Sequence, residues 1–381
     1  MTGPSIYLDY PATTPCDPRV VEAMLPFFSA MVGNPHNRQH AAGRAAAVAI
    51  EQARAQIAAL IGARPAQILF TSGATEANNL ALQGAARAGR ARGRHIVTVA
   101  TEHASVLAPL RALARDGFEL TILAVDAAGL VDPDRVAHAL RPDTILVSVM
   151  AVNNEIGTIQ PLGAIGALCR ARGILLHSDA VQAAGRLDLD VAALGVDLLS
   201  LSAHKLYGPA GIGALYLRAG DLVPPLQGGG QERGLRPGTL PTALCVGFGR
   251  AALLAAAERA GESIRLARLA DRLWQGLWRA VPTVRRNGSV ERGVAGLLSV
   301  RFPGLDATAL MEDLPELALS SGAACSAASG LPSSVLTAIG LDAAAAQSTL
   351  RIGLGRFTSE AEVDRAIDLI AAAACAGSAE T

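Results

Sequence analysis

Residues 202–209 of the chain read SAHKLYGP, and they contain Lys205, the only lysine among 33 basic residues. Arginine can replace lysine wherever a surface needs only positive charge, but not where chemistry needs an amine that can lose its proton. A desolvated lysine can lose its proton, and it can then act as a base or form a Schiff base. A composition rich in arginine and alanine could also leave one lysine by chance, so the neighbours of Lys205 must decide.

The residues around this stretch have the pattern of a parallel sheet covered by helices. From about residue 40 to residue 220, helical periodicity alternates with short apolar runs, which predicts an α/β fold. A helix is predicted over 40–61, and residues 202–209 begin where the sixth strand ends. Seven strands of a large central sheet are predicted over residues 67–71, 95–100, 119–124, 144–150, 174–178, 197–202 and 214–217.

The pattern changes near residue 255. A long helix is predicted over 251–281, followed by an isolated strand over 297–302 with helices around it. A chain of 381 residues is long enough for two domains. The sequence therefore predicts a second, smaller α+β domain after the sheet.

Composition and charge exclude several classes of function. Acidic and basic residues number 33 each, so the chain lacks the excess of basic residues that would indicate nucleic acid or a membrane surface as a partner. A small-molecule partner is expected instead. We see neither a secretory signal nor about 18 uninterrupted apolar residues, which predicts a soluble, cytoplasmic protein. Five widely spaced cysteines without a C-x-x-C pair indicate neither a disulfide framework nor a zinc site.

The loops after the predicted strands carry most of the polar residues of interest. Ligands of open α/β sheets bind at the carboxyl ends of strands, so these loops are expected to converge on one pocket. After the first strand, residues 71–76 read TSGATE and lead into a helix. Such a turn suits a phosphate, although a plain helix N-cap would look the same. The spacing G-x-x-x-x-G-K of a nucleoside-triphosphate loop is absent, so the phosphate is expected to belong to another cofactor.

Asp179 ends a predicted strand, Gln182 lies three residues on, and Lys205 follows the next strand. Asp179 alone could be a salt-bridge partner or a metal ligand. Pyridoxal phosphate, however, needs a lysine for its aldehyde and an acid that keeps its pyridine nitrogen protonated. Asp179 and Lys205 could supply both, and Ser202 and His204 could contact the phosphate.

Two further side chains could take part in chemistry. His103 follows a strand and could stack on a flat ring or transfer a proton, although a lone histidine is more often structural. Cys325 lies in residues 320–330, which read SSGAACSAASG and contain no large apolar side chain. Such a stretch is expected to form an exposed loop, and an exposed thiol there is suited to nucleophilic attack.

These motifs resemble those of the cysteine desulfurases, pyridoxal-phosphate enzymes that supply sulfur for iron-sulfur clusters and thiolated cofactors. The likeness covers almost the whole chain, and residues 320–325 are similar to the long-loop class that hands sulfur to a scaffold. The motifs that carry it are YLDYPATTP (7–15), TSGATE (71–76), TEH (101–103), VNNEIG (152–157), SAHK (202–205), GGGQERG (228–234), SSGAAC (320–325) and RFT (356–358).

The resemblance implies a role for each candidate residue. Lys205 would hold the cofactor, His103 would stack on its ring and manage protons, Asp179 would pair with the ring nitrogen, and Gln182 would pair with the ring hydroxyl. Cys325 would take the substrate sulfur as a persulfide, leaving alanine. The implied phosphate ligands are Thr75, Ser202, His204 and, from the second subunit of a homodimer, Thr239. Ala74 and Asn154 would also bind the cofactor, and Asn154 and Arg351 would hold the carboxylate of L-cysteine.

The resemblance also implies the aspartate-aminotransferase fold, with residues 15–254 as the large domain and residues 1–14 and 255–381 as the small one. Iron-sulfur scaffolds or other proteins would be the sulfur acceptors. Two positions depart from the family pattern, since Gly353 stands where relatives usually have serine and Ala210 replaces a common lysine. A selenocysteine lyase, a cystine lyase or an aminotransferase is the closest alternative, and a non-catalytic interaction protein is a more distant one. Cys325 favours the desulfurase.

Overall fold

Strands and helices alternate along most of the chain, as the periodicity predicts. The computed structural model describes residues 5–218, 220–322 and 332–379. The strands are β1 (Ile6–Tyr7), β2 (Ile68–Thr71), β3 (His95–Val99), β4 (Glu119–Leu123), β5 (Thr144–Ser148), β6 (Leu175–Asp179), β7 (Leu198–Ser202), β8 (Gly213–Leu217), β9 (Arg285–Asn287), β10 (Leu297–Arg301), β11 (Leu317–Ala318) and β12 (Thr349–Gly353).

Helices cover the strands and connect them. They are α1 (Pro18–Met24), α2 (Ala41–Leu60), α3 (Ala74–Gly89), α4 (Ala104–Arg115), α5 (Pro133–Ala139), α6 (Leu162–Ala171), α7 (Val191–Leu194), α8 (Thr242–Ala280), α9 (Ala307–Glu312), α10 (Ser334–Ala338), α11 (Ala343–Gln347) and α12 (Glu360–Ala379). No helix in the described ranges is long and apolar enough to cross a membrane.

The central sheet has seven strands in the order β2-β8-β7-β6-β5-β3-β4. Neighbours from β4 to β7 are parallel, whereas β8 is antiparallel to both β7 and β2. Strands β3, β5, β7 and β8 are buried at every residue, as expected for a sheet with helices on both faces. The predicted α/β fold with a mainly parallel sheet is confirmed, with strand ends within two residues of the prediction.

The prediction of an isolated strand at 297–302 is wrong. β10 lies in the middle of a three-stranded antiparallel sheet, between β9 and β12. β9 consists of Arg285, Arg286 and Asn287, which lack the apolar alternation that marks a strand. β9 is therefore a strand because it pairs with β10, and not because its own residues have the pattern of a strand.

The long helix α8 begins nine residues before its predicted start. Gly247 and Gly249 weaken the helical signal of this segment. In the structure they permit close packing, because a Cβ at Gly249 would lie 2.5 Å from Ala53 Cα in α2. The cost in helix propensity is thus offset by the contact between α2 and α8.

The N-terminal segment packs with the C-terminal elements. β1 pairs in parallel with β11, and Leu8 belongs to a hydrophobic core that also contains Leu273, Val300 and Ile352. A separate core lies against the central sheet. The domain boundaries at residues 14/15 and 254/255 stay a prediction.

Candidate active site

A cavity of about 540 Å³ opens where the parallel strands of the central sheet end. Most of the residues predicted for the site line it, although they come from elements far apart in the chain. Thr239 is exposed and is not among the lining residues, and Cys325 lies outside the described residues. The predicted residues that line the cavity are Ala74, Thr75, His103, Asn154, Asp179, Gln182, Ser202, His204, Lys205 and Arg351.

Lys205 reaches into this cavity from the short 3-10 turn that follows β7. Its amine donates hydrogen bonds to the carbonyl oxygens of Pro11 and Ala12, the latter at 2.7 Å. Burial, together with the nearby cations Arg351 and Arg186, lowers the pKa of Lys205 to about 8, against the opposing effect of the carboxylates of Asp179 and Asp9. The only lysine of the chain therefore has a substantial neutral fraction near physiological pH.

Asp179 is the last residue of β6, beside β7 in the sheet. Its carboxylate accepts hydrogen bonds from the Asn78 amide at 2.8 Å and from the Val181 N–H at 3.0 Å. Gln182 donates to the Pro11 carbonyl at 2.8 Å. Its Oε1 is buried and has no hydrogen-bond partner in the described part of the chain, so an acceptor is left for a ligand.

The start of α3 forms one end of the cavity. Gly73 precedes the helix and supplies no side-chain cap, so the first N–H groups are available to an anion. Gly213 makes room here, because a Cβ at that position would lie 2.7 Å from the Gly73 backbone. Ser202 and His204 line the same cavity, and burial, together with Lys205, lowers the pKa of His204 to about 4.

His103 is the N-cap residue of α4, and its ring lines the cavity. The Ser105 N–H donates to His103 Nδ1 at 3.1 Å, and Ser105 Oγ lies 2.8 Å from the same nitrogen. Burial lowers the pKa of His103, Asp179 opposes that effect, and Lys205 adds to it. The imidazole is therefore biased towards its neutral form.

Arg351 and Asn154 lie on the side of the cavity nearest β12. Arg351 Nη1 donates to the Asn154 carbonyl at 3.1 Å, and Nη2 donates to Asp9 at 2.8 Å. Nε is buried and unpaired within the described ranges. The guanidinium thus has a defined orientation, and its Nε–H is a donor that a ligand could use.

Several residues that line or support the cavity were missed by sequence reasoning. Pro11 and Ala12 close one side of it, and the sequence marks them only through the family motif YLDYPATTP. Glu102 is 2% exposed, accepts from the Met150 N–H at 2.6 Å, and has a pKa raised well above 4.5 by burial and by Asp179. A signal for Glu102 existed, because it stands next to His103 at the end of a strand.

Glu155 was also missed, although it belongs to the quoted motif VNNEIG. Its carboxyl group lines the cavity and accepts a hydrogen bond from Ser333, the N-cap residue of α10. Burial raises the pKa of Glu155, while Ser333 and Arg351 oppose the shift. Through its hydrogen bond with Ser333, Glu155 connects the cavity to helix α10.

These donors and acceptors fit pyridoxal phosphate. The amine of Lys205 matches the aldehyde of the cofactor, and the buried carboxylate of Asp179 matches the pyridine nitrogen. The unpaired amide oxygen of Gln182 matches the ring hydroxyl. The N-terminus of α3, which has no side-chain cap, matches the phosphate. Within the described residues no group of three or more His, Cys, Asp or Glu side chains could hold a metal ion.

Comparison with known proteins identifies the family. The model of the aminotransferase class-V family matches residues 6–366. The chain belongs to this family. It is 50% identical to a cysteine desulfurase IscS of Anaeromyxobacter dehalogenans over 96% of this chain and 91% of the relative. It is 49% identical to a mitochondrial cysteine desulfurase of Saccharomyces cerevisiae over 96% of this chain and 74% of the relative.

Solved structures agree with this membership of the class-V family. A NifS-like protein superimposes with a TM-score of 0.91 at 35% identity, covering 97% of this chain and 98% of its own. SspA in complex with cysteine superimposes with a TM-score of 0.82 at 39% identity, covering 93% and 99%. The family includes pyridoxal-phosphate enzymes, which agrees with the donor set of the cavity.

Gly353, one of the two departures from the family pattern, has a steric reason. A Cβ at Gly353 would lie 1.9 Å from Pro11 Cδ, so the glycine is required by the proline that closes the cavity. Ala210, the other departure, lines the cavity. Nothing in the structure explains why an alanine stands there.

Proposed function

We propose that this chain is a pyridoxal-phosphate-dependent cysteine desulfurase, which converts L-cysteine to L-alanine and leaves the sulfur on Cys325 as a persulfide. In this reaction one C–S bond breaks, one S–S bond forms, and the β-carbon gains a hydrogen. The observation that carries the proposal is that Lys205, Asp179 and Arg351 line one cavity. The identity of about half of all residues with proteins named cysteine desulfurase supports it.

Each part of the cofactor would have its own ligands. Asp179 would bind the pyridine nitrogen, Gln182 Oε1 would accept from the ring hydroxyl, and Lys205 would bind the aldehyde. When bound, pyridoxal phosphate supplies an aldehyde that captures amines and a protonated ring that accepts electrons from carbon. The phosphate would lie against Ala74, Thr75, Ser202 and His204.

The substrate would be held by its carboxylate. Arg351 Nε is a buried donor without a partner in the described ranges, and a guanidinium suits a carboxylate. Asn154 lines the same side of the cavity. The Lys205 amine, with its pKa of about 8, can take a proton from the substrate near neutral pH.

Sulfur transfer would use Cys325 as a thiolate. Its attack on the substrate sulfur would form the persulfide, which would then pass to an iron-sulfur scaffold or a thiolation protein. A homodimer in which Thr239 reaches the phosphate of the partner subunit, and a cytoplasmic location, belong to the same proposal. The exposed position of Thr239 supports a contribution to another subunit.

The substitution Cys325→Ala tests this function. We expect the variant to retain bound pyridoxal phosphate, seen by visible absorbance, and to lose alanine formation from cysteine by about 100-fold or more, because its nucleophile is gone. Cys375→Ala is the matched control, since Cys375 is an exposed free thiol on α12. Full desulfurase activity in Cys325→Ala would refute the persulfide mechanism. Release of a keto acid instead of alanine would favour an aminotransferase.

A further inference from the structure

A chain of hydrogen bonds connects Asp179 to His103 through two buried residues. Asn78 Nδ2 lies 2.8 Å from Asp179 Oδ2 and 2.9 Å from Ser105 Oγ. Ser105 Oγ lies 2.8 Å from His103 Nδ1, and the Ser105 N–H donates to the same nitrogen at 3.1 Å. Asn78 is completely buried in α3, and Ser105 is buried in the first turn of α4.

The direction of each hydrogen bond follows from the chemistry of the groups. An ionised carboxylate only accepts, so the NH₂ group of Asn78 must face Asp179, and the reversed amide would set oxygen against oxygen. The second hydrogen of Asn78 then goes to Ser105 Oγ. The Ser105 hydroxyl accepts this bond and can donate its own hydrogen to His103 Nδ1.

The backbone provides the decisive constraint. The N–H of Ser105 can only donate, and it faces His103 Nδ1. A proton on Nδ1 would set donor against donor at this N–H, whereas the Ser105 hydroxyl could turn to accept it. Nδ1 is therefore an acceptor, and Nε2, the other ring nitrogen, must carry the proton of the neutral imidazole.

We propose that Asn78 and Ser105 are positioning residues that hold His103 as the neutral tautomer with its proton on Nε2. His103 then presents a hydrogen-bond donor to the cavity and cannot accept a proton at Nδ1 without losing the bond from the Ser105 N–H. This proposal rests on the function proposed above. Its consequence for that function is that Lys205, and not His103, takes the proton from the substrate.

The charges around His103 agree with a neutral ring. Lys205 disfavours the imidazolium, and Asp179 favours it. The carboxylate of Asp179 already accepts from Asn78 and from the Val181 N–H. Burial and the nearby Asp179 raise the pKa of Glu102, adjacent in sequence, well above its usual range. Burial, the largest effect, lowers the pKa of His103.

The tautomer can be measured directly on the holoenzyme. In protein labelled with ¹⁵N-histidine, one of seven histidines is His103, and its signal is identified by its loss in His103→Gln. Between about pH 6 and pH 8 we expect an unprotonated Nδ1 and a protonated Nε2. A protonated Nδ1, as the other tautomer or as the imidazolium at pH 7, would overturn the proposal.

Variants test the two positioning residues. Ser105→Ala removes the hydroxyl and keeps the backbone N–H, so we expect the same tautomer and a titration midpoint of His103 shifted upwards. Asn78→Ala should also shift that midpoint upwards, because the freed Ser105 hydroxyl can turn away from Nδ1. It should weaken pyridoxal phosphate binding by roughly tenfold, because Asp179 loses a donor.

Asn287→Ala is the matched control. Asn287 is a buried asparagine of β9 whose amide donates to the hydroxyls of Ser299 and Thr349, away from the cavity. It should lower stability without changing the His103 titration or cofactor affinity. Equal titration midpoints in wild type, Ser105→Ala and Asn78→Ala would contradict the positioning role. Failure of the proposed function would appear separately, as absence of alanine formation with the Nε2 proton still observed.

Discussion

The guanidinium of Arg351 is held against the carboxylate of Asp9, with Nη2 2.8 Å from Oδ1. Ser320 Oγ donates to the same carboxylate oxygen at 3.0 Å, and the Arg351 N–H donates to the Ser320 carbonyl at 2.7 Å. Arg351 is 3% exposed. The N-terminal segment thus orients a cation on β12 in advance of any substrate, which reduces the entropy lost on binding.

Replacement of Asp9 should therefore affect substrate binding more than turnover. We expect Asp9→Asn to raise the KM for cysteine about tenfold with a smaller change in kcat, because an amide holds the guanidinium less firmly than a carboxylate does. Steady-state alanine formation measures both constants. The control Asp364→Asn changes an exposed Arg272 pair on the surface and should leave them unaltered. An unchanged KM in Asp9→Asn would show that Arg351 does not need this partner.

The lowered pKa of Lys205 predicts a pH dependence of cofactor loading. The amine is protonated below about pH 8 and neutral above it, so the rate at which apoenzyme captures pyridoxal phosphate should rise with pH and level off above that value. Visible absorbance after mixing measures the rate. Arg351→Gln should move the midpoint upwards, because one of the cations that disfavour the ammonium is removed. A wild-type midpoint near 10.5, the ordinary value, would contradict the prediction.

Two arginine-carboxylate pairs of similar geometry should differ in their importance for stability. Arg54 makes two bonds of 2.7 and 2.8 Å to Glu232, where both side chains are buried, whereas Arg272 makes two of 2.6 and 2.7 Å to Asp364 at the surface. We expect Arg54→Met to lower the free energy of unfolding by about 3–5 kcal/mol, because it leaves Glu232 buried without its cation.

Arg272→Met is the matched control and should lower the free energy of unfolding far less, since exposed pairs are screened by water. Denaturant unfolding of the holoenzymes measures both values. Equal losses in the two variants would mean that burial does not decide the effect. Glu232 also has φ of 44°, so the buried pair holds a left-handed backbone in the segment that leads to Thr239.

Much of the site could be predicted because its residues stand at strand ends. Asp179 ends β6 and Lys205 follows its parallel neighbour β7, and local periodicity is sufficient to locate both strands. Asn78 and Ser105 were not predicted. Each is a polar residue on an otherwise apolar helix face, and only the packing of α3 against α4 places their side chains in contact.

The sequence by itself determined the seven strands, the mainly parallel sheet and the convergence of Lys205 with Asp179, because apolar periodicity is a local property of a chain and parallel strands end at one edge of their sheet. Only the tertiary structure decided that β10 has partners on both sides. It also decided that Pro11 closes the cavity and that Asp9 pairs with Arg351. The last contact joins residues 342 positions apart, and no local pattern records it, because such pairs form only when packing removes both partners from water.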